Sequence, residues 1–116
     1  MKEMYKLKYH LEPVSGWMND PNGLIEKDGV YYIYYQYSYE PEGGLKYWKQ
    51  FTTKDFLYYQ DEGIALSPDH PHNQGGAYSG CCFNDHGLLR YKFVAFIPHA
   101  CVWDESHISL DIYLEK

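Results

Sequence analysis

The chain has 116 residues, with 10 Lys and Arg against 16 Asp and Glu, a formal net charge of -6 and a pI near 5.4. That is one domain's worth of length, and it lacks the basic face that nucleic acids and anionic membranes require. With 14 Tyr, 5 Phe and 3 Trp, 19% of the residues are aromatic, which excludes a disordered chain and suits strands with one wet face and a carbohydrate partner. Cys81, Cys82 and Cys101 form no even disulfide framework. No apolar run follows the lysines of residues 1–8, and none elsewhere reaches membrane-spanning length. The expectation is a soluble, cytoplasmic protein with reduced thiols, no cofactor and no membrane or nucleic-acid partner.

Residues 5–13 are a basic and aromatic lead-in, with Tyr9-His10-Leu11 extended. The segment Trp17-Met18-Asn19-Asp20-Pro21-Asn22-Gly23 follows, and its composition predicts a tight turn. Asn, Asp, Pro and Gly are the commonest turn formers, and such a loop can cap only its own backbone. It can also be a site. Asp20 can serve as nucleophile, base or acceptor, and the amides of Asn19 and Asn22 favour an ionised carboxylate and can bind ligand hydroxyls. Pro21 biases Asp20 towards an extended backbone, Gly23 permits any φ, and the indole before them offers a flat apolar wall of the kind that grips sugars.

After this come a short strand at Leu24-Ile25, an Asp28-Gly29 hairpin turn and a strand over 30–37. In that strand Tyr31, Ile33, Tyr35 and Tyr37 point one way and Tyr32, Tyr34, Gln36 and Ser38 the other, so both faces are covered. A loop at 41–44 leads to a third strand over 47–53 carrying Trp48. A tight turn at 53–56 leads to Leu57-Tyr58-Tyr59 and then Ile64-Ala65-Leu66. A polar loop at 67–76, a strand over 77–83 and a turn at 84–87 into Leu88-Leu89 complete the pattern. Short strands at regular intervals with turn chemistry between them predict an all-β sandwich, barrel or propeller.

Tyr9-His10, the segment from Gly16 to Gly23, Tyr35-Gln36-Tyr37, Trp48, Lys54-Asp55-Phe56-Leu57, Ile64-Ala65-Leu66 and Tyr78-Ser79-Gly80, in that order, closely resemble the start of glycoside hydrolase family 32. That family holds the invertases, levanases, inulinases and sucrose-6-phosphate hydrolases. The resemblance implies a five-bladed β-propeller around a funnel-shaped pocket, of which this chain is the first blade and part of the second, a truncated fold. It also implies retaining cleavage of β-fructosides, with Asp20 as the catalytic nucleophile. Asn19 would contact the fructosyl hydroxyls, and Gln36, Trp48, Tyr78 and Ser79 would line the substrate pocket. Retention uses a second carboxyl group about 5 Å from the first, acting as acid and then base.

The departures from the family pattern matter as much. An Arg-Asp-Pro motif that steadies the transition state and a Glu-Cys motif that supplies the acid/base do not occur in these residues. Arg90 is followed by Tyr91-Lys92 and Glu105 by Ser106. Lys49-Gln50-Phe51 stands where Gly-His-Ala is usual. The expected division is a propeller portion over 1–89 and a divergent tail over 90–116, as in a truncated or frame-shifted product. The expectation is a chain inactive alone, the alternatives being a catalytically incomplete fructoside-binding module or a self-assembling β module, without a sugar role, whose exposed strand edges pair with a second copy.

Other constellations are weaker. His70, His72, Cys81 and Cys82 are zinc's ligand types, but their spacing fits no zinc pattern, so packed thiols and loop histidines are expected and no metal is assigned. Asp69-His70 has no motif-placed nucleophile beside it. Lys46, Lys49 and Lys54 read as solvated strand-edge charges.

Overall fold

The computed structural model describes residues 9–69, 75–96 and 107–114. Residues 1–8, His70, His72 and Cys101 lie outside them. The described residues form seven strands: β1 (Trp17–Lys27), β2 (Val30–Ser38), β3 (Tyr47–Thr53), β4 (Tyr59–Leu66), β5 (Ala77–Asp85), β6 (Leu88–Phe96) and β7 (His107–Leu114). Pairing is antiparallel and sequential, giving a four-stranded sheet β1-β2-β3-β4 and a three-stranded sheet β5-β6-β7. The sequence boundary drawn after residue 89 falls inside β6.

Local chemistry sets the hairpins. Asp28 and Gly29 take φ of 54° and 82°, and His86 and Gly87 repeat the pattern at 54° and 91°. Two successive left-handed residues make the turn whose twist matches that of the flanking strands. Glu26 accepts the Gly29 N–H at 2.7 Å, and Asn84 accepts the Gly87 N–H at 2.8 Å.

The period of two splits the tyrosine run of β2 as its alternation predicts. Tyr34 enters the core between the sheets with Trp48, Leu66, Ala77, Tyr91 and Phe93, whereas Tyr35 and Tyr37 pack on the other face with Phe51. The Tyr34 and Tyr91 rings meet edge to face at 4.9 Å, and their hydroxyls hydrogen-bond at 2.5 Å. Each hydroxyl gives the other a partner where water is excluded. Burial pushes both phenols well above the ordinary tyrosine range.

Three expectations change. The segment from Trp17 to Gly23 is no tight turn, and Leu24-Ile25 is no separate strand: both belong to β1. Pro21 lacks a donor, so it fits only an edge strand or a bulge. β1 is the edge of its sheet, and its register shifts between Met18 and Pro21 and again between Asn22 and Ile25. Gly23, at φ 52°, carries the second irregularity, and a Cβ there would lie 3.0 Å from Trp48 and 3.1 Å from Cys82. Secondly, Lys49 is not a solvated edge charge. It lies 4.7 Å above the Tyr37 ring and 3.6 Å from Asp61, where the outer face of β3 needs its stem as cover. Thirdly, β4 is one strand from Tyr59, with Leu57 and Tyr58 left in the turn. That turn is built on Asp55, which accepts the N–H groups of Leu57 at 2.9 Å and Tyr58 at 3.0 Å, and on Thr53, which accepts the Phe56 N–H at 2.9 Å.

Two tests follow from this packing. Tyr91→Phe leaves the Tyr34 hydroxyl buried without a partner and is expected to cost about 1–3 kcal/mol in urea unfolding, most of which a second Tyr34→Phe change restores. A double variant no more stable than the single one would contradict the bonded pair. The backbone bonds from Tyr58 and Leu57 hold Asp55 below its ordinary value of 3.8. A lowered folded-state value stabilises the fold above 3.8, and that contribution vanishes as the pH falls through the lower value. Asp55→Asn should therefore flatten the acid limb of a thermal-stability curve, and an unchanged limb would remove the assignment.

Candidate active site

The residues singled out in the sequence collect at one end of the molecule because the strand registers bring them there. Trp17 pairs with Ser38, Met18 with Tyr37, and Gln36 with Trp48, so the start of β1, the end of β2 and the start of β3 share that end. The second sheet joins them through two hydrogen bonds. The Ala77 N–H donates to the Lys46 carbonyl at 2.9 Å, and the Trp48 indole N–H donates to the Tyr78 carbonyl at 2.8 Å. The start of β5, with Tyr78 and Ser79, is thus tied to the start of β3.

Within this cluster the amides are wired in sequence. The Trp17 Nε1–H donates to Asn19 Oδ1 at 2.8 Å, and Asn19 Nδ2 donates to Gln36 Oε1 at 2.5 Å. Asn19 is therefore held from both ends of its amide, which settles which way it faces. Gln36 is buried, and its Nε2 has no hydrogen-bond partner in the structure. A buried amide donor left unpaired costs about 1–3 kcal/mol, so an incoming acceptor gains what the fold leaves unmade.

Asp20 is exposed on the bulged part of β1, with neither hydrogen bond nor ion pair to another described residue. A carboxylate so placed can attack, take a proton or accept from hydroxyls. Ser79 is exposed and Tyr78 half-buried. Trp48 is placed differently from its neighbours in the cluster: it is 0% exposed, tilted against Tyr34 at 5.9 Å and edge-on to Tyr91 at 5.8 Å. It forms the floor beneath the cluster, and its indole N–H is occupied by Tyr78. Pro21 and Leu24 line an apolar groove of about 420 Å³ together with Ile33 and Phe56.

Lys46 was missed. It is half-buried, with its ammonium 5.1 Å above the Trp17 ring, not a solvated strand-edge charge. The contact forms because the loop before β3 folds back over β1, which no spacing in the sequence signals. Trp17, too, acts through its N–H on Asn19 as well as through its face. Lys54 is exposed, as expected. Cys81 is exposed and Cys82 half-buried, both free, and burial raises the Cys82 thiol to about 11. Among the described residues no three His, Cys, Asp or Glu side chains are grouped to hold a metal.

The Glycosyl hydrolases family 32 N-terminal domain matches residues 10–105. A sucrose-6-phosphate hydrolase of Pediococcus pentosaceus is 40% identical over 77 residues, which are 66% of this chain and 15% of that protein. A raffinose invertase of Escherichia coli is 35% identical over 106 residues, 88% of this chain and 21% of the relative. The solved sucrose-6-phosphate hydrolase of Lactobacillus gasseri superposes with a TM-score of 0.79 at 31% identity, covering 94% of this chain and 22% of that one. A fructan 1-exohydrolase of Cichorium intybus, at 23% identity and a TM-score of 0.76 over 90% of this chain and 19% of its own, shares the fold. The chain thus spans about a fifth or less of the length of these curated relatives.

The wiring of Asn19 has a direct test. Trp17→Phe keeps the aromatic wall but removes the donor, so the Asn19 and Gln36 side-chain amide resonances are expected to shift in an ¹H–¹⁵N spectrum while the circular dichroism stays unchanged. Unmoved resonances would show that the bond to Asn19 is not made.

Proposed function

Since the chain belongs to glycoside hydrolase family 32, we propose that it carries the nucleophile half of a retaining β-fructofuranosidase, with Asp20 attacking the anomeric carbon of a fructosyl unit. Its two sheets are the first blade and part of the second of the family's five-bladed β-propeller. The observation that carries the reading is the Trp17-Asn19-Gln36 relay beside the exposed Asp20. It fixes amide groups, ready for sugar hydroxyls, next to a carboxylate on a strand bulge.

In this reading Asp20 forms a covalent fructosyl ester as the leaving oxygen takes a proton from a second carboxyl group. That same group then draws a proton from the water that hydrolyses the ester. Asn19 and Gln36 hold the fructosyl hydroxyls, Tyr78 and Ser79 flank them from β5, and Trp48 supports the floor. The Glu-Cys and Arg-Asp-Pro motifs, which the family resemblance assigns to the acid/base and to transition-state support, do not occur in these 116 residues. General acid catalysis is worth about a hundred- to ten-thousand-fold, so the chain by itself is proposed to bind fructosides and turn them over poorly or not at all. A second reading, a fructoside-binding module that associates with its own kind, is favoured by the open apolar groove along Pro21, Leu24 and Ile33.

Calorimetry with fructose and sucrose should show saturable binding that Asn19→Ala weakens on the order of tenfold, the value of a hydrogen bond or two. Any sucrose hydrolysis is expected to vanish in Asp20→Asn. Hydrolysis that survives it would sink the nucleophile assignment, and absence of any sugar binding would sink the fructoside reading itself.

A further inference from the structure

A groove of about 590 Å³ lies at the other end of the first sheet, a volume typical of small-molecule sites. The strand register sets its distance from the candidate active site. Tyr32 pairs with Thr52 and Thr52 with Gln60 along the groove, whereas Gln36 pairs with Trp48 at the site. Four residues along β2 span roughly 13 Å, and the two places share no lining residue.

The lining is part aromatic and part polar. Tyr32 enters from β2, stacked on Tyr34 at 6.4 Å. Thr52, Gln60 and Glu62 line the groove from β3 and β4, and Lys54 and Tyr58 from the turn between those strands. That turn holds Tyr58 by its backbone: Asp55 Oδ1 accepts its N–H at 3.0 Å, and Thr53 Oγ1 donates to its carbonyl at 2.7 Å. The Tyr58 side chain is nevertheless 81% exposed and makes no ring contact with another described residue. A fixed backbone thus presents a bare aromatic face at the mouth of the groove.

The polar groups say what that face can meet. Asp55 already accepts two backbone N–H groups, and Glu62 accepts the Thr52 hydroxyl at 2.9 Å. An anion entering here meets these two carboxylates, and a cation meets Lys54. The Gln60 amide has no side-chain hydrogen bond to a described residue, so it offers both donors and an acceptor. A neutral ligand with an apolar face and several hydroxyls fits all of these groups at once, and a sugar ring has both.

We propose that this groove is a second, non-catalytic saccharide site, with Tyr58 against the face of a sugar ring and Gln60 and Glu62 bonded to its hydroxyls. It goes beyond the fructoside reading of the Asp20 end and does not rest on it, because no residue is common to both. A saccharide held there stays close to the candidate active site, which raises its effective concentration.

The test is an ¹H–¹⁵N titration of the chain with sucrose and with 1-kestose, repeated on Tyr58→Ala, Gln60→Ala and Asn19→Ala. Saturable shifts at Gln60 and Glu62 are expected in the unmodified chain and should persist in Asn19→Ala. Tyr58→Ala should weaken them on the order of tenfold, the worth of covering part of an aromatic ring, with the circular dichroism unchanged because that ring is exposed. Gln60→Ala should weaken them several-fold, and added salt should leave the affinity for a neutral sugar where it was. Groove shifts that vanish in Asn19→Ala place the sugar at the Asp20 end alone, which overturns the second site and spares the fructoside reading. A groove that neither sugar moves, or an affinity that Tyr58→Ala leaves intact, overturns it too. Shifts produced by tetramethylammonium at lower concentration than by either sugar make this a cation site and likewise overturn the assignment.

Discussion

The contact on which the molecule depends is the indole of Trp48 between the two sheets. Its faces and edges meet Tyr34, Tyr91 and Phe93 at ring separations of 5.8 to 5.9 Å, and its single polar atom reaches the Tyr78 carbonyl of the neighbouring sheet. An indole offers a large apolar area with one directional donor, so it both glues the sheets and fixes their offset. That offset ties the start of β5, with Tyr78 and Ser79, to Trp48. The same indole leaves no room for a side chain on β1, which is why Gly23 stands at the crossing.

β1 translates this constraint into the geometry of the candidate site. An edge strand has one side free of ladder bonds, and Pro21 can sit there without leaving a partner strand's carbonyl unsatisfied. The register of Trp17 with Ser38 and Met18 with Tyr37 brings Asn19 opposite Gln36, and the irregularity before Pro21 leaves Asp20 as the exposed residue. Bulges commonly re-aim side chains next to active sites. The motif's unusual composition is thus the composition of a bulged edge strand, which shares proline, glycine and asparagine with turns and for that reason resembles one.

Charge is arranged around this geometry by pairing. Lys49 is matched to Asp61, and Arg90 to Asp85 at 3.0 Å, so these charges serve the fold. Among the described residues neither Asp20 nor Lys46 has a salt-bridge partner.

The amino-acid sequence alone determined what short-range physics can write. The Asp28-Gly29 and His86-Gly87 turns need left-handed backbone that those pairs supply, the tyrosine alternation of β2 follows from the period of a strand, and the order of motifs identified the family. Burial of Trp48 was beyond it, because an indole serves equally well as a pocket wall or a core, and only a second sheet on top decides which. So were the bulges of β1, the Asp61 partner of Lys49 and the place of Lys46 over Trp17. Each depends on groups brought together by the register of whole strands or, for Lys46, by a loop that folds back over β1. The sequence therefore named Asp20 and its amides, and the tertiary structure decided what holds them, what lies beneath them and which cation stands beside them.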